Sequence, residues 1–428
     1  MTALAAARSP AALAARLDRA AAFCALAIPP AMLHAFAVAE ALIGIVLLLF
    51  LSRSGLLRDW SWLRRPWVRI ALLWWGWAIL CSLPGIGQGG SRSLVQALVV
   101  GRYILFIAAL EHAVLADPAI RRWLCAVLAA CAAWIGQSAV LQAATGRNLA
   151  GYPRWGDGEL TGPFQKPRAG PPLARLLPVA VLPPIFRLLE AGREWWRPAV
   201  AALLAATAIA SVVLIGQRMP VLLTVLAMGI AALFLPRLRL PVAAALALGA
   251  ALVAASAVVA PPTFYRLVTK FTTQMASWPE SNYGQIASRA VAIAQDHPIT
   301  GRGFEGFRSG CAEERYWRGW THAANPADTG GGMLGCNLHP HNMYLQAVTD
   351  AGLPGLALYV AMILAWGAVL VRGLWRNPAP LRVALFATYV AAFWPLSSSM
   401  NAFSIEFGGL TFLLVGFALA EARAPEAR

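Results

Sequence analysis

The residues best suited to chemistry are a histidine pair and a small set of isolated arginines. His339-Pro340-His341-Asn342-Met343-Tyr344-Leu345 closes a long polar stretch set between two hydrophobic blocks. Proline suits the first position of a helix, and Tyr344, Leu345 and Val348 recur at helical spacing, so the pattern predicts a helix with His341 in its first turn. There the positive end of the helix dipole disfavours imidazolium, leaving a neutral ring able to accept a proton. The plainer reading is a histidine that only packs or caps this helix, with Asn342 either orienting a substrate or capping beside it. Arg218 is almost the only charge in the short turn Gly216-Gln217-Arg218-Met219-Pro220, and Arg289 lies in a short helical stretch, Ser288 to Ala294. Guanidinium forks bind phosphate oxygens bidentately, so two arginines and a neutral histidine suit a diphosphate-and-base site.

Composition decides what positions these groups. Of 428 residues 59% are hydrophobic and only 13% charged, against about 25% charged in ordinary soluble domains. A hydrocarbon core about 30 Å thick takes about 20 apolar residues per helix. The runs predict an all-α, polytopic membrane protein of about twelve spans: 20-33, 35-51, 66-83, 93-113, 120-143, 171-189, 198-215, 219-235, 240-260, 354-371, 380-397 and 403-421. Ile28-Pro29-Pro30 interrupts the first run, which reads as one long helix or two short ones. The expected organisation is an N-terminal bundle over 1-260 with a polar segment at 144-170, a large outer loop over 261-353, and a C-terminal bundle over 354-428.

The net charge of +16 raises the question of a nucleic-acid partner. Twenty of the 35 basic residues, however, fall in the segments that are cytoplasmic if the N-terminus is inside, from Arg16, Arg19 and Arg53 to Arg376 and Arg423. This is the positive-inside asymmetry, so the charge reports topology and no nucleic-acid partner is expected. The two outer segments nevertheless keep arginines and lysines, among them Lys166, Arg168, Arg266, Lys270 and Arg302. They read either as a solvated surface or as the setting of an anionic ligand.

Cys24, Cys81, Cys125 and Cys131 fall in or near apolar runs, where thiols act as small hydrophobes. Cys311 and Cys336 are the two in the outer loop and are candidates for a disulfide, worth roughly 3 kcal/mol for a loop of this length in an oxidising compartment. A zinc site from Cys336, His339, His341 and His322 is the rival, weakened by the lack of a regular second ligand pair. Gly301-Arg302-Gly303-Phe304-Glu305-Gly306 matches Gly-x-Gly-x-x-Gly in form only; with no βαβ pattern around it, it reads as a flexible turn. His339, which precedes proline and is biased to an extended backbone, is expected to point away from His341. Tyr344 reads as packing, and Tyr316, Trp317 and Trp320 suit either sugar stacking or a membrane interface.

Taken in order, Arg289, His297 to Phe307, His339 to Gln346 and Asp350-Ala351-Gly352-Leu353-Pro354-Gly355 resemble the O-antigen ligase and O-antigen polymerase superfamily. The resemblance extends to the plan of spans, the late outer loop and the isolated Arg218; Asp350 departs from it, standing where the family often has glutamate. It implies an inverting, metal-independent glycosyl transfer at the periplasmic face of the bacterial inner membrane, with no cofactor. The donor would be a glycan on undecaprenyl diphosphate and the acceptor a lipid A-core sugar hydroxyl, both met among membrane lipids. His341 would be the general base, Arg218 and Arg289 would hold the diphosphate, and Lys166, Arg168, His339 and Asn342 would contact substrate. A polymerase extending a carrier-linked glycan is the alternative. A transporter is the second, with Glu40, Arg102 and Glu406 as its intramembrane ionisable groups.

Fixed arginines can neutralise a leaving diphosphate without a divalent ion, and the outer loop has no Asp-x-Asp pair to hold one. Transfer by the purified protein is therefore expected to survive EDTA. Loss of turnover with EDTA, restored by one divalent ion, would contradict it.

Overall fold

The computed structural model describes residues 9–156, 158–190, 194–316, 336, 338–397 and 400–423. Trp317, Trp320 and His322, which the sequence singles out, lie outside them. Among the described residues the chain is helical, with no strand and only isolated bridges such as Arg147 to Pro153 and Trp155 to Glu159.

Every expected span lies on a helix. In chain order these are α1 Pro10–His34, α2 Phe36–Leu57, α3 Pro66–Cys81, α4 Gly90–Ala109, α5 Pro118–Thr145, α6 Gly170–Glu190, α7 Trp196–Ile215, α8 Arg218–Phe234 and α9 Arg239–Val259. The polar segment adds α10 Pro261–Phe264, α11 Lys270–Ala276, α12 Asn282–Asp296 and α13 Gly306–Gly310, and the chain returns through α14 Met343–Val371, α15 Pro380–Ala392 and α16 Leu410–Arg423. Eight helical stretches among the described residues are long and apolar enough to cross a membrane; α3, α8 and α15 are shorter apolar helices. The protein is thus a multi-pass membrane protein, with eight crossings carried by length and composition.

Pro29 and Pro30 stay inside α1, and the chain breaks instead at Ala35 (φ −144°, ψ 72°). The first run is therefore one 25-residue helix followed by a second. α16 is buried along nearly its whole length, whereas Phe23, Leu240, Val258 and Val259 stay exposed on outer faces, as expected of side chains that meet lipid. Charged groups at one end of the bundle pair across helices. Arg53 bonds Asp18 at 2.9 Å, Arg121 bonds Glu421 at 2.8 Å, and Arg423 bonds Glu111 at 2.6 Å, with Trp67 Nε1 donating to the same carboxylate at 2.8 Å. Arg102 bonds Glu40 at 2.9 Å and so ties α4 to α2.

The polar segment is anchored to the bundle by a turn that is anything but loose. Arg302 N donates to Thr349 O (2.9 Å), Gly306 N to the Asp350 carboxylate (2.9 Å), and Leu353 N to Pro298 O (2.8 Å). Phe304 N donates to Ser82 Oγ (2.9 Å) and Ser93 Oγ to Phe304 O (2.8 Å), which pins the same turn to the ends of α3 and α4. The Gly301 to Gly306 sequence is thus a packed staple and not a flexible turn, because the N–H groups of Arg302, Phe304 and Gly306 all meet partners on or at the ends of α3 and α14. Asp350, buried and bonded to Gly306, serves this staple.

Beyond the turn, the segment has a core of its own. Ile286, Ala290, Ile293, Phe307 and Tyr316 pack together around a Cys311–Cys336 disulfide with Cα atoms 5.7 Å apart. Arg302 is buried, pairs with Glu313 and donates to the Tyr316 hydroxyl at 3.0 Å. That hydroxyl donates to Asp296 at 2.7 Å and holds its carboxyl below the usual range. Tyr316 is 2% exposed, so it cannot stack on a sugar.

α14 begins at Met343, well before the expected span, and bends at Gly352 (φ 68°, ψ −170°). A Cβ there would sit 2.2 Å from Ile299 O, against the staple. Gly352→Ala adds backbone strain to that clash and is expected to cost about 3 kcal/mol or more. Gly373, also at positive φ (73°), has open space around it, so Gly373→Ala should cost only about 1 kcal/mol. Thermal unfolding in detergent compares the two, and equal shifts would show that the crossing at Gly352 is not tight.

Candidate active site

A cavity of about 1280 Å³ opens among the ends of α1, α6, α8, α14 and the polar segment. Its lining carries five cations, Arg168, Arg175, Arg218, Arg266 and Lys270, against two carboxylates, Glu159 and Glu406. His341, Asn342, Tyr283 and Trp278 share it, and one side is apolar, with Met32, Leu33, Leu176, Phe407 and Leu410.

His341 is not in the first turn of a helix. Asn342 is the N-cap of α14, its Oδ1 accepting from Tyr344 N (2.9 Å) and Leu345 N (3.1 Å), so His341 precedes the cap. The side-chain cap outcompetes Pro340 as a start signal because it satisfies two amide donors at once. His341 adopts φ +53°, a left-handed backbone that costs a non-glycine residue about 1–2 kcal/mol. The imidazole is held among aromatic rings: Tyr283 stands edge-on at 5.4 Å, with Trp278 stacked beyond it at 6.4 Å. On the other side the ring of His339 is 4.5 Å away, so His339 turns toward His341 and not away from it. Asn342 is spent on the cap and on Pro395 O, to which its Nδ2 donates at 2.7 Å. Tyr344 is packing, as its hydroxyl donates to Phe393 O at 2.7 Å.

Arg218 opens α8 and its Nη1 donates to Gln274 Oε1 at 2.6 Å, facing into the cavity beside Phe271. Its neighbour Gln217 donates to Glu159 (2.7 Å) and to Pro167 O (2.8 Å), which docks α8 on the 159–170 segment. From that segment Arg168 reaches the cavity and pairs with Glu406, while Lys166 is exposed and outside the lining. Arg289 is not brought to the cavity either. It is 1% exposed, and its Nη1 lies 3.0 Å from Cys336 Sγ and 3.8 Å from Cys311 Sγ. Burial pulls its pKa below the ordinary guanidinium value. Cys336, bonded to Cys311, has no thiolate to offer a metal, so the zinc set loses its sulfur ligand.

The structure brings to the cavity residues that the sequence leaves open between a solvated surface and the setting of an anionic ligand. Arg266, Lys270, Gln274 and Trp278 recur every fourth position through a π turn at 265–269, α11 and a 3-10 turn at 278–280, and all four line the cavity. That four-residue spacing was the available signal. Arg266 is 6% exposed, and Gly216, at φ +71°, leaves it room: a Cβ there would fall 2.7 Å from its guanidinium. Arg175, in the second turn of α6, was hidden inside an apolar run.

A cationic cavity with an apolar flank and an aromatic-bounded imidazole can hold a polyanionic amphiphile and move one proton. Comparison with known proteins agrees with the class. Residues 202–360 match the model of a family described as O-antigen ligase. The match spans α7 to α14 and includes Arg218, Arg289 and His341. A search of curated proteins found no match to the chain.

Asn342→Ala removes both capping bonds and is expected to cost about 1 kcal/mol, whereas Asn342→Asp keeps the capping oxygen and should cost less. The shift of the unfolding midpoint measures this. Equal losses would assign the effect to the Pro395 bond instead.

Proposed function

We propose that the chain, whose residues 202–360 match the model of a family described as O-antigen ligase, is a glycosyltransferase-like membrane protein of the O-antigen ligase and polymerase superfamily, and that it is a ligase. In this reading it transfers a glycan from undecaprenyl diphosphate to a sugar hydroxyl of lipid A-core at the periplasmic face of the inner membrane. The domain division at 260 and 353 is part of the same proposal: two bundles carry the lipid-facing wall, and the polar segment between them closes the cavity from outside.

The observation that carries the reading is the single cavity lined by His341, Arg218 and four further cations beside an apolar flank. His341 takes the proton of the acceptor hydroxyl. The freed oxygen attacks the anomeric carbon of the donor sugar from the face opposite the diphosphate, and the bond from that carbon to the phosphate oxygen breaks. The configuration inverts, the proton stays on His341, and undecaprenyl diphosphate leaves with its negative charge met by Arg218, Arg266 and Lys270. Donors aimed in advance at developing charge supply several kcal/mol of barrier lowering, and here they need no metal ion. Arg289 acts as a positioning residue, adjoining the disulfide and holding α12, from which Tyr283 reaches the imidazole. A polymerase would run the same chemistry on a carrier-linked acceptor.

The test uses purified protein, undecaprenyl diphosphate glycan and lipid A-core, with product read by gel shift. Ligase action gives glycan on lipid A-core; elongation of the carrier-linked glycan alone would make the protein a polymerase. His341→Gly relieves the left-handed backbone, so it is expected to fold at least as stably as the parent while losing transfer altogether. Near-normal transfer by that variant at matched membrane abundance would remove His341 from the mechanism.

A further inference from the structure

Arg175 has no part in the scheme above, and its surroundings ask for one. It sits on α6, is 7% exposed, and lines the cavity on its apolar side. Its guanidinium carbon lies 3.9 Å from the centre of the Phe407 ring. Among the described residues no carboxylate or other acceptor stands within bonding distance of that guanidinium. Arg121 and Arg302 are as deeply buried, and each pairs with a glutamate, Glu421 and Glu313.

Seven residues earlier, just before α6 begins, Arg168 meets Glu406, the residue next to Phe407. Two neighbouring arginines thus face two neighbouring residues of the 405–409 turn, and only one of them is neutralised. A buried charge without a counter-ion destabilises the fold, and the face of a benzene ring offsets only part of that. An apolar side chain of similar length would pack better among Leu176, Phe407 and Leu410. The charge therefore makes sense if an anion arrives to meet it.

We infer that Arg175 is a further anion-binding residue of this cavity, taking a phosphoryl group of the lipid-linked donor on the side where its hydrocarbon chain lies. This rests on the reading that the cavity holds a lipid-linked diphosphate. The chemistry fits: the planar fork matches phosphoryl oxygens, and the adjacent apolar wall suits an isoprenoid. Arg175 would grip the donor from one side while Arg218, Arg266 and Lys270 meet it from the other.

The experiment measures two quantities on the full-length protein in detergent: the unfolding midpoint without ligand, and the affinity for geranylgeranyl diphosphate, inorganic diphosphate and phosphatidylglycerol. Arg175→Met is expected to unfold at the same temperature as the parent or higher, and to bind geranylgeranyl diphosphate about tenfold more weakly or worse, with Arg175→Lys between the two. A lower midpoint with unchanged affinity would overturn the inference and make Arg175 a packing residue seated on Phe407. Arg175-dependent binding of phosphatidylglycerol, without any effect on geranylgeranyl diphosphate, would overturn it in favour of a lipid headgroup. If the parent protein binds no isoprenyl diphosphate at all, the donor reading itself falls, an outcome distinct from a parent that binds and a variant that binds equally well.

Discussion

The crossing of the 298–306 turn over the bend in α14 is the contact on which the site depends. Backbone meets backbone there, with Leu353 N on Pro298 O and Arg302 N on Thr349 O, and only glycine at 352 lets the chains come so close. Sequence positions about fifty apart are held in one geometry by hydrogen bonds that cannot be satisfied by a slipped register. The Asp350 carboxylate, accepting from Gly306 N, closes the arrangement from the helix side. Because α14 starts at Met343 and is gripped at 349–353, its N-cap and the preceding His341 are placed relative to α12, and thereby to Tyr283.

Held in this way, the cavity can afford electrostatics that would otherwise spring it open. Five cations converge on it, and two glutamates offset only part of that charge. Such a concentration of like charge in a partly dry space is destabilising unless an anion fills it. The stabilising share of the fold is supplied elsewhere: by aromatic packing of Trp74, Tyr359, Phe403 and Phe412 through the bundle, and by the disulfide-centred core of the polar segment. Dividing the work so lets the site stay preorganised, with its donors pointing at a place before charge develops there.

Much of the architecture was legible because its causes are local. Apolar runs are long, proline and glycine punctuate them, and each expected span lies on a helix. The Cys311–Cys336 bridge was legible by elimination, since the other four cysteines fall in apolar runs. Where the structure departs from the local reading, a competing contact is the reason. A proline before a histidine looks like a helix start, but the asparagine that follows caps better, so His341 moved out of the first turn. Arg289 looks like a free cation in a polar loop, yet the core around Ile286, Ala290 and Ile293 turns it inward. Tyr316 looks like a surface aromatic and proves to be the hub of an ionic network.

By itself the sequence determined that this is a helical membrane protein with a polar segment late in the chain, and that histidine and arginine are its chemical groups, because hydropathy and residue type act over one or two turns. Only the tertiary structure decided which cations share a cavity. Arg175 and Arg266 enter it and Arg289 and Lys166 do not, since which face of each helix is turned inward depends on what the other helices leave open. That choice is made by packing between distant segments, and no local pattern encodes it.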